Sequence, residues 1–224
     1  MRINQFVANA SGLSRRAADA AITAGRVTLN GQIATLGQTA EATDGVALDG
    51  QPLTLLSKHV YLMLNKPAGY VSSRVRQNAD PTLYELVPEH FHNLRIAGRL
   101  DRDSSGLIIL TSDGNFIQNL THPSSDKLKT YVLTLDAPIS AADRTKLQAG
   151  VILKDGPSQV NIVAAKGKSL TVTIGEGRNR QLRRTFGALG YRIDLLHRTH
   201  IGPFDLADLP SGAWTEIDSG TIKS

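Results

Sequence analysis

Twice within the first 53 residues a β-rich run is broken by a two-residue turn signal, Asn30-Gly31 and then Asp49-Gly50. Both dipeptides accept the positive φ that a tight hairpin demands, so Val27–Ala34 and Val46–Leu53 are each predicted to fold back on themselves. Ahead of them the pattern predicts a short helix over residues 3–9 and a second one capped by Ser14. In that second helix Ala17/Ala21 and Ala18/Ile22 stand four apart, and Gly25 sits where a left-handed C-cap belongs. Two small helices on a small sheet make a miniature α/β unit. It is too small for an enzyme pocket of its own and better suited to gripping something. Its end is placed at residue 57, giving units 1–57 and 58–224.

The rest of the chain reads differently. Tyr61-Leu-Met-Leu64 is a continuous apolar strand ended by Lys66-Pro67, and Gly106 to Thr111 is another, closed by Ser112-Asp113-Gly114. Further strands are predicted at Tyr131–Leu135, 151–153, 159–164, 169–174, 191–197 and 214–217. Helices are expected around Thr82–Val87, from Asn115 to His122, from the Ser140 cap to Gly150, and from Asn179 to Leu189. Strands dominate and come in runs, which predicts an α+β domain around a mixed or antiparallel sheet. With aromatics at 5%, its core has to be built mainly from Leu, Ile, Val and Ala.

The chain of 224 residues contains no cysteine. That excludes a disulfide scaffold, a thiolate zinc site, an iron–sulfur cluster and a cysteine nucleophile. No stretch approaches the roughly 18 apolar residues of a membrane span, and the first ten residues lack the apolar run of a signal peptide. A soluble, cytoplasmic protein is expected. The net charge is +5, and its distribution is uneven. Residues 1–35 carry Arg2, Arg15, Arg16 and Arg26 against Asp19 alone, and residues 176–200 carry six arginines against Glu176 and Asp194. Two arginine clusters suit a surface that tracks phosphates; a solvated charged face explains them equally well.

Two polar knots could carry chemistry. Gly98-Arg-Leu-Asp101-Arg-Asp-Ser-Ser-Gly106 sets two carboxylates and two arginines just before a buried strand. A carboxylate at a core edge beside arginine can serve as nucleophile or base, and the same segment also fits a plain turn in which Asp103 and Ser104 bond their own backbone. The second knot, Gly175 to Arg184, runs from a strand into a helix. It begins G-x-G, but Arg180 stands where a dinucleotide fingerprint needs its third glycine. A helix N-terminus with arginines facing phosphates or a carboxylate fits better. His90/His92 and His197/His200 lack acidic or thiolate partners at ligand spacing, so no metal is expected. Tyr61 and Tyr131 read as core residues, and Trp214 as a core or edge anchor.

Taken together these segments resemble one family. Gly98-Arg-Leu-Asp101-x-x-Ser-Ser-Gly106-Leu-x-x-Leu-Thr-x-Asp-Gly114 is similar to the signature of pseudouridine synthases acting on ribosomal RNA, in the RsuA/RluB/RluF-like branch. Ser14-Arg-Arg-Ala-Ala-Asp and Ala24-Gly-Arg-Val-Thr-Leu-Asn-Gly31 resemble the S4 RNA-binding domain that this branch carries. Lys129-Thr-Tyr131-Val, Glu176-Gly-Arg-Asn-Arg-Gln-Leu-Arg183 and Leu196-His-Arg198 with Gly202-Pro-Phe204 match three further motifs. Departures are Ser104-Ser105 where Thr-Ser is usual and Phe186 where methionine is common.

The resemblance implies an S4-like domain followed by a catalytic domain with a long mixed sheet. It implies that Asp101 is the essential carboxylate, that Tyr131 stacks on the target base, that Arg178 pairs with Asp101, and that Leu196 packs behind the ring. It puts Arg99 among the substrate-binding residues. Arg15, Arg16, Arg26, Arg180, Arg183 and Arg184 are expected to contact RNA. The reaction adds and removes nothing, so neither a metal nor another cofactor is expected. The expected partner is ribosomal RNA or a pre-ribosomal particle, with large-subunit RNA favoured and the protein a monomer. Two rival readings stand beside this one: a non-catalytic RNA-binding or assembly protein, and an enzyme acting on a small nucleotide.

Overall fold

A computed structural model describes residues 1–55, 59–122, 127–218, 220 and 222. The N-terminal unit opens with α1 (Ile3–Ser11) and α2 (Arg15–Thr23). The Ser14 side chain accepts the Ala17 amide at the start of α2, and Gly25 follows its end at φ +70°. Next come β1 (Val27–Leu29) and β2 (Gln32–Ile33), then β3 (Val46–Leu48) and β4 (Gln51–Pro52). Asn30 and Gly31 have φ +51° and +82°, and Asp49 and Gly50 +52° and +77°, the paired positive values of the favoured two-residue hairpin turn. Both hairpins form as predicted, and they join through β1 and β3 into a sheet ordered β2-β1-β3-β4. Ile3, Phe6, Val7, Ala18, Ala21, Ile22, Val27 and Val46 form the core of this unit.

The larger unit begins with β5 (Tyr61–Lys66) and continues through β6 (Arg95–Ala97), β7 (Ser105–Thr111), α3 (Gly114–Thr121) and β8 (Lys129–Leu135). It goes on with α4 (Ala141–Ala149), β9 (Val151–Leu153), β10 (Gly156–Ser158), β11 (Asn161–Lys166) and β12 (Ser169–Ile174). It closes with α5 (Gln181–Ala188), β13 (Ile193–Ile201), β14 (Phe204–Asp205) and β15 (Trp214–Glu216). The main sheet is ordered β11-β12-β8-β13-β7-β5-β15, with β6 on β7 and β14 on β13. Its pairs are antiparallel except β13 with β7, which is parallel. The sheet is therefore mixed, as expected.

The apolar run of β7 is buried on both faces, as a central strand requires. Ile108 and Leu110 join a core with Leu62, Leu64, Leu133, Leu135 and Val172, while Leu107 and Ile109 pack on the other side with Leu120, Ile201 and Phe204. Strand β8 alternates strictly, which places Tyr131 on the same side as Leu133 and Leu135. The two units touch where Arg95 Nη2 donates to Asn9 Oδ1 at 3.0 Å and to the Ser112 carbonyl at 2.8 Å.

Several expectations need correction. The segment around Thr82–Val87 is a single 3₁₀ turn, Leu83–Leu86, closed by a capping box between Thr82 and Glu85. The helix expected from Asn179 starts at Gln181, because Arg180 takes a left-handed conformation with φ +47° and cannot continue a right-handed helix inward. The strand expected over 191–197 runs from Ile193 to Ile201, and β6, β10 and β14 were not anticipated. The boundary placed between residues 57 and 58 lies outside the described residues.

Candidate active site

Strands β7 and β13 meet edge to edge at Gly106 and Arg198, which are partners in the parallel register. Gly106 has φ +109°, and a Cβ there would fall 2.2 Å from the Arg198 carbonyl oxygen. Only glycine allows the approach. It matters because the Arg198 side chain, 2% exposed, turns back under the loop that precedes β7. Its Nε donates to the Leu107 carbonyl and its Nη2 to the Gly98 carbonyl, each at 2.9 Å. The loop is pinned from a second side by Ser72, whose Oγ donates to the Leu100 carbonyl at 2.7 Å and accepts the Leu100 amide at 3.1 Å. A third tie runs from the Gly69 amide to the Arg102 carbonyl at 2.7 Å. Residues 98–102 are therefore held through their backbone, which leaves the Asp101 side chain free to face outward.

Asp101 opens onto a cleft of about 640 Å³. Arg99, Tyr131, Arg178, Arg180 and Leu196 line the same cleft. Four separated segments of the chain thus meet here: the loop before β7, the middle of β8, the entry to α5 and the middle of β13. Tyr131 and Leu196 are 7% and 6% exposed, so each offers only an edge or face to the cleft while its bulk anchors in the core. The expectation that Tyr131 is core and the expectation that it meets substrate are both compatible with this position.

The expected pairing of Arg178 with Asp101 is corrected by the geometry. Arg178 turns away toward the β9–β10 hairpin, donating to Asp155 Oδ1 at 3.0 Å, the Pro157 carbonyl at 2.6 Å and Glu176 Oε1 at 2.9 Å. The guanidinium beside Asp101 belongs to Arg180, whose Nη1 lies 3.8 Å from Asp101 Oδ2. The partners give the physical reason: Asp103 holds Arg180 by both carboxylate oxygens, while Asp155 and the Gly156 and Pro157 carbonyls hold Arg178 on the hairpin side. The other arginines of α5 also find carboxylates within the protein. Arg180 and Arg183 both reach Asp103, at 2.9 and 3.1 Å, and Arg184 reaches Asp155 at 2.8 Å. The Arg180 hydrogen bond, followed by the Arg183 charge, holds the Asp103 carboxyl below its ordinary range.

In the N-terminal unit, Arg15 and Arg16 are exposed and form no ion pair among the described residues. Arg26 does not share that freedom. It donates to both oxygens of Asp49, at 2.7 and 2.5 Å.

Two buried cations at and beside the site had no role assigned from the sequence. One is Arg198, named there only as the end of the Leu196-His-Arg198 motif. The other is Lys66, fully buried at the end of β5, whose Nζ donates to the Pro67 and Tyr70 carbonyls at 2.9 Å. Burial pushes the Lys66 amine down to about 8, against the pull of Asp101 and Asp103 in the opposite direction. The only local signal for Lys66 was the Lys-Pro step that ends an apolar strand.

The chain is similar to known proteins along its whole length. The family model for RNA pseudouridylate synthase matches residues 60–188, and that for the S4 domain matches residues 1–46. A protein of Escherichia coli (strain K12) named ribosomal small subunit pseudouridine synthase A is 35% identical over 229 residues, covering 100% of this chain and 99% of that one. An uncharacterized RNA pseudouridine synthase of Aquifex aeolicus (strain VF5) is 34% identical over 99% of this chain and 92% of its own length. A solved structure described as a pseudouridylate synthase superposes with a TM-score of 0.73 at 32% identity, covering 100% of this chain and 98% of that one. With an S4 domain in front and the synthase fold behind it, the chain belongs to the RNA pseudouridylate synthase family, a family of isomerases.

Proposed function

We propose that this protein converts a specific uridine of small-subunit ribosomal RNA to pseudouridine, with Asp101 as its catalytic carboxylate. The observation that carries the reading is the convergence of Asp101, Tyr131, Leu196 and Arg180 on one cleft from four separate segments. Phosphate binding alone needs no outward-facing carboxylate on a loop fixed so firmly through its backbone. The reaction breaks the bond between C1′ and N1, turns the uracil, joins C1′ to C5 and releases the C5 proton, which ends on N1. Atoms balance without a redox partner. What the chemistry asks of the protein is one carboxylate and a place to keep the detached ring.

The Asp101 carboxylate attacks the nucleotide or takes a proton from it, and Arg180 puts positive charge 3.8 Å away. Tyr131 and Leu196 offer flat and apolar surface to a base withdrawn from its stack, offsetting an unstacking cost of a few kcal/mol. Arg99 reaches the same cleft and is assigned to the nucleotide. Residues 1–57 grip the RNA and 58–224 perform the chemistry; Arg15 and Arg16 are the phosphate contacts, with Arg26 already committed to Asp49. The groups lining the cleft come from one chain, so a monomer acting on ribosomal RNA or a pre-ribosomal particle in the cytoplasm suffices.

The sequence alone favoured large-subunit RNA. The small-subunit assignment replaces it on the strength of the full-length relatives that carry the small-subunit name. The test is to incubate the protein with transcripts of both ribosomal RNAs and map pseudouridine in each. Conversion at one site in the small-subunit transcript is expected. Conversion confined to the large-subunit transcript would reverse the assignment, and conversion in neither would remove it.

A further inference from the structure

Two carboxylates compete for one guanidinium in the cleft. Arg180 gives Nη1 to Asp103 Oδ1 at 3.0 Å and Nη2 to Asp103 Oδ2 at 2.9 Å, the paired geometry in which arginine binds a carboxylate best. Its distance to Asp101, 3.8 Å, is that of a neighbouring charge with no hydrogen bond. Among the described residues, the Asp101 carboxylate accepts no side-chain hydrogen bond. A second arginine secures Asp103. Arg183, with a side chain 14% exposed, sets Nε 3.1 Å from Asp103 Oδ2 and donates Nη2 to the Asp103 carbonyl at 2.8 Å. Its Nη1 donates to the Ile193 carbonyl at 2.8 Å, so Arg183 is fixed to β13 as well.

We propose that Asp103 is a positioning residue: it holds Arg180 by both oxygens and so keeps that guanidinium alongside the Asp101 carboxylate rather than on it. The proposal rests on the reading of Asp101 as the catalytic carboxylate. Its logic is chemical. A carboxylate that must attack carbon or take a proton needs its lone pairs free, and a bidentate arginine would occupy them. A positive charge just beyond hydrogen-bond distance favours the ionised form and occupies nothing. Asp103 achieves that compromise by outcompeting Asp101 for the same donors. The charged groups that bear on Asp101 are Arg180 from the start of α5 and Lys66 from the end of β5; Asp103 acts one step removed, on Arg180 and Lys66, as do Arg183 on Asp103 and Arg198 on Lys66.

If Asp103 loses its charge, the nearest carboxylate left for Arg180 is Asp101. In the full chain, Asp103→Asn should therefore lower kcat about tenfold and leave KM for the RNA within about twofold, while moving the acid limb of the pH–rate profile down by about one unit. Asp103→Glu, which retains a carboxylate, should recover most of the rate. In Asp103→Asn/Arg180→Ala the acid limb should stand where Arg180→Ala alone puts it, because Asp103 acts through Arg180. A residue that merely held the fold would lower the rate without moving the limb. The decisive readout needs no turnover. ¹³C titration of the Asp101 carboxyl should fall to lower pH in Asp103→Asn than in the unsubstituted protein. Identical Asp101 titrations in the two proteins would overturn the proposal. An active Asp101→Asn protein would instead overturn the reading of Asp101 beneath it, so the two failures are distinguishable.

Discussion

Replacing Gly106 by alanine tests how the cleft is held open and braced. Two costs can be separated. The first is conformational: φ at this position is +109°, a region that costs an L-residue roughly 1–3 kcal/mol. The second is steric. The new methyl would lie 2.2 Å from the Arg198 carbonyl oxygen and 2.5 Å from the Arg198 nitrogen, both backbone atoms that cannot swing aside. Strands β7 and β13 would have to part at their parallel junction, and overpacking of this kind costs about 1–3 kcal/mol. Together the two predict a loss of about 2–6 kcal/mol. Gly167, in the turn between β11 and β12, isolates the first cost: its φ is +59° and nothing lies within 4 Å of its Cβ position. Gly167→Ala should lose only about 1–2 kcal/mol. Urea unfolding of the two variants beside the unsubstituted protein measures the difference, and a lowered midpoint with unchanged slope identifies a pure loss of stability. Equal midpoints for Gly106→Ala and Gly167→Ala would refute the steric argument and the close approach on which it rests.

Three further outcomes are expected. Arg178→Ala should loosen the β9–β10 hairpin but leave the pH–rate profile in place, whereas Arg180→Ala should move it; a shift with Arg178→Ala alone would restore the pairing that the geometry rejects. Because Lys66 titrates near 8 when folded and near 10.5 when unfolded, the unfolded chain binds more protons between those values, and stability should rise with pH across that window. The rise is on the order of 3 kcal/mol, and Lys66→Met should flatten it in urea titrations at pH 8 and 10. Arg15→Ala and Arg16→Ala should each reduce the slope of log affinity against log salt by about 0.7–0.9, while Arg26→Ala, already neutralised by Asp49, should reduce it less; slopes unchanged from the unsubstituted protein in all three would mark the N-terminal arginines as a solvated face.

What could be read in advance was local. Asn30-Gly31 and Asp49-Gly50 specify their turns through the φ values they tolerate, and Ser14 and Ser140 cap their helices through one side-chain oxygen each. Strands β6 and β10 escaped because three residues carry no periodicity, and their pairing is decided by β7 and β9. Gly98 to Gly106 was legible as a polar knot, yet its role came from the resemblance, since the same letters describe a turn. Which arginine faces Asp101 depended on distant partners, Asp103 for Arg180 and the β9–β10 hairpin for Arg178. Arg198 and Lys66 were hidden for a related reason. Charged side chains are exposed by default, and only the carbonyls that the tertiary structure gathers around these two make their burial possible.

The central claim is that one carboxylate on a braced loop performs the isomerisation, and Asp101→Asn addresses it most directly. The substitution keeps the size of the side chain and removes its charge from a residue that makes no side-chain hydrogen bond among the described residues, so the fold and the RNA surface should be unaffected. With small-subunit ribosomal RNA under single-turnover conditions, pseudouridine formation should fall below detection while RNA affinity stays within about threefold, well under the tenfold that 1.4 kcal/mol represents. Substantial turnover by the Asp101→Asn protein would contradict the account.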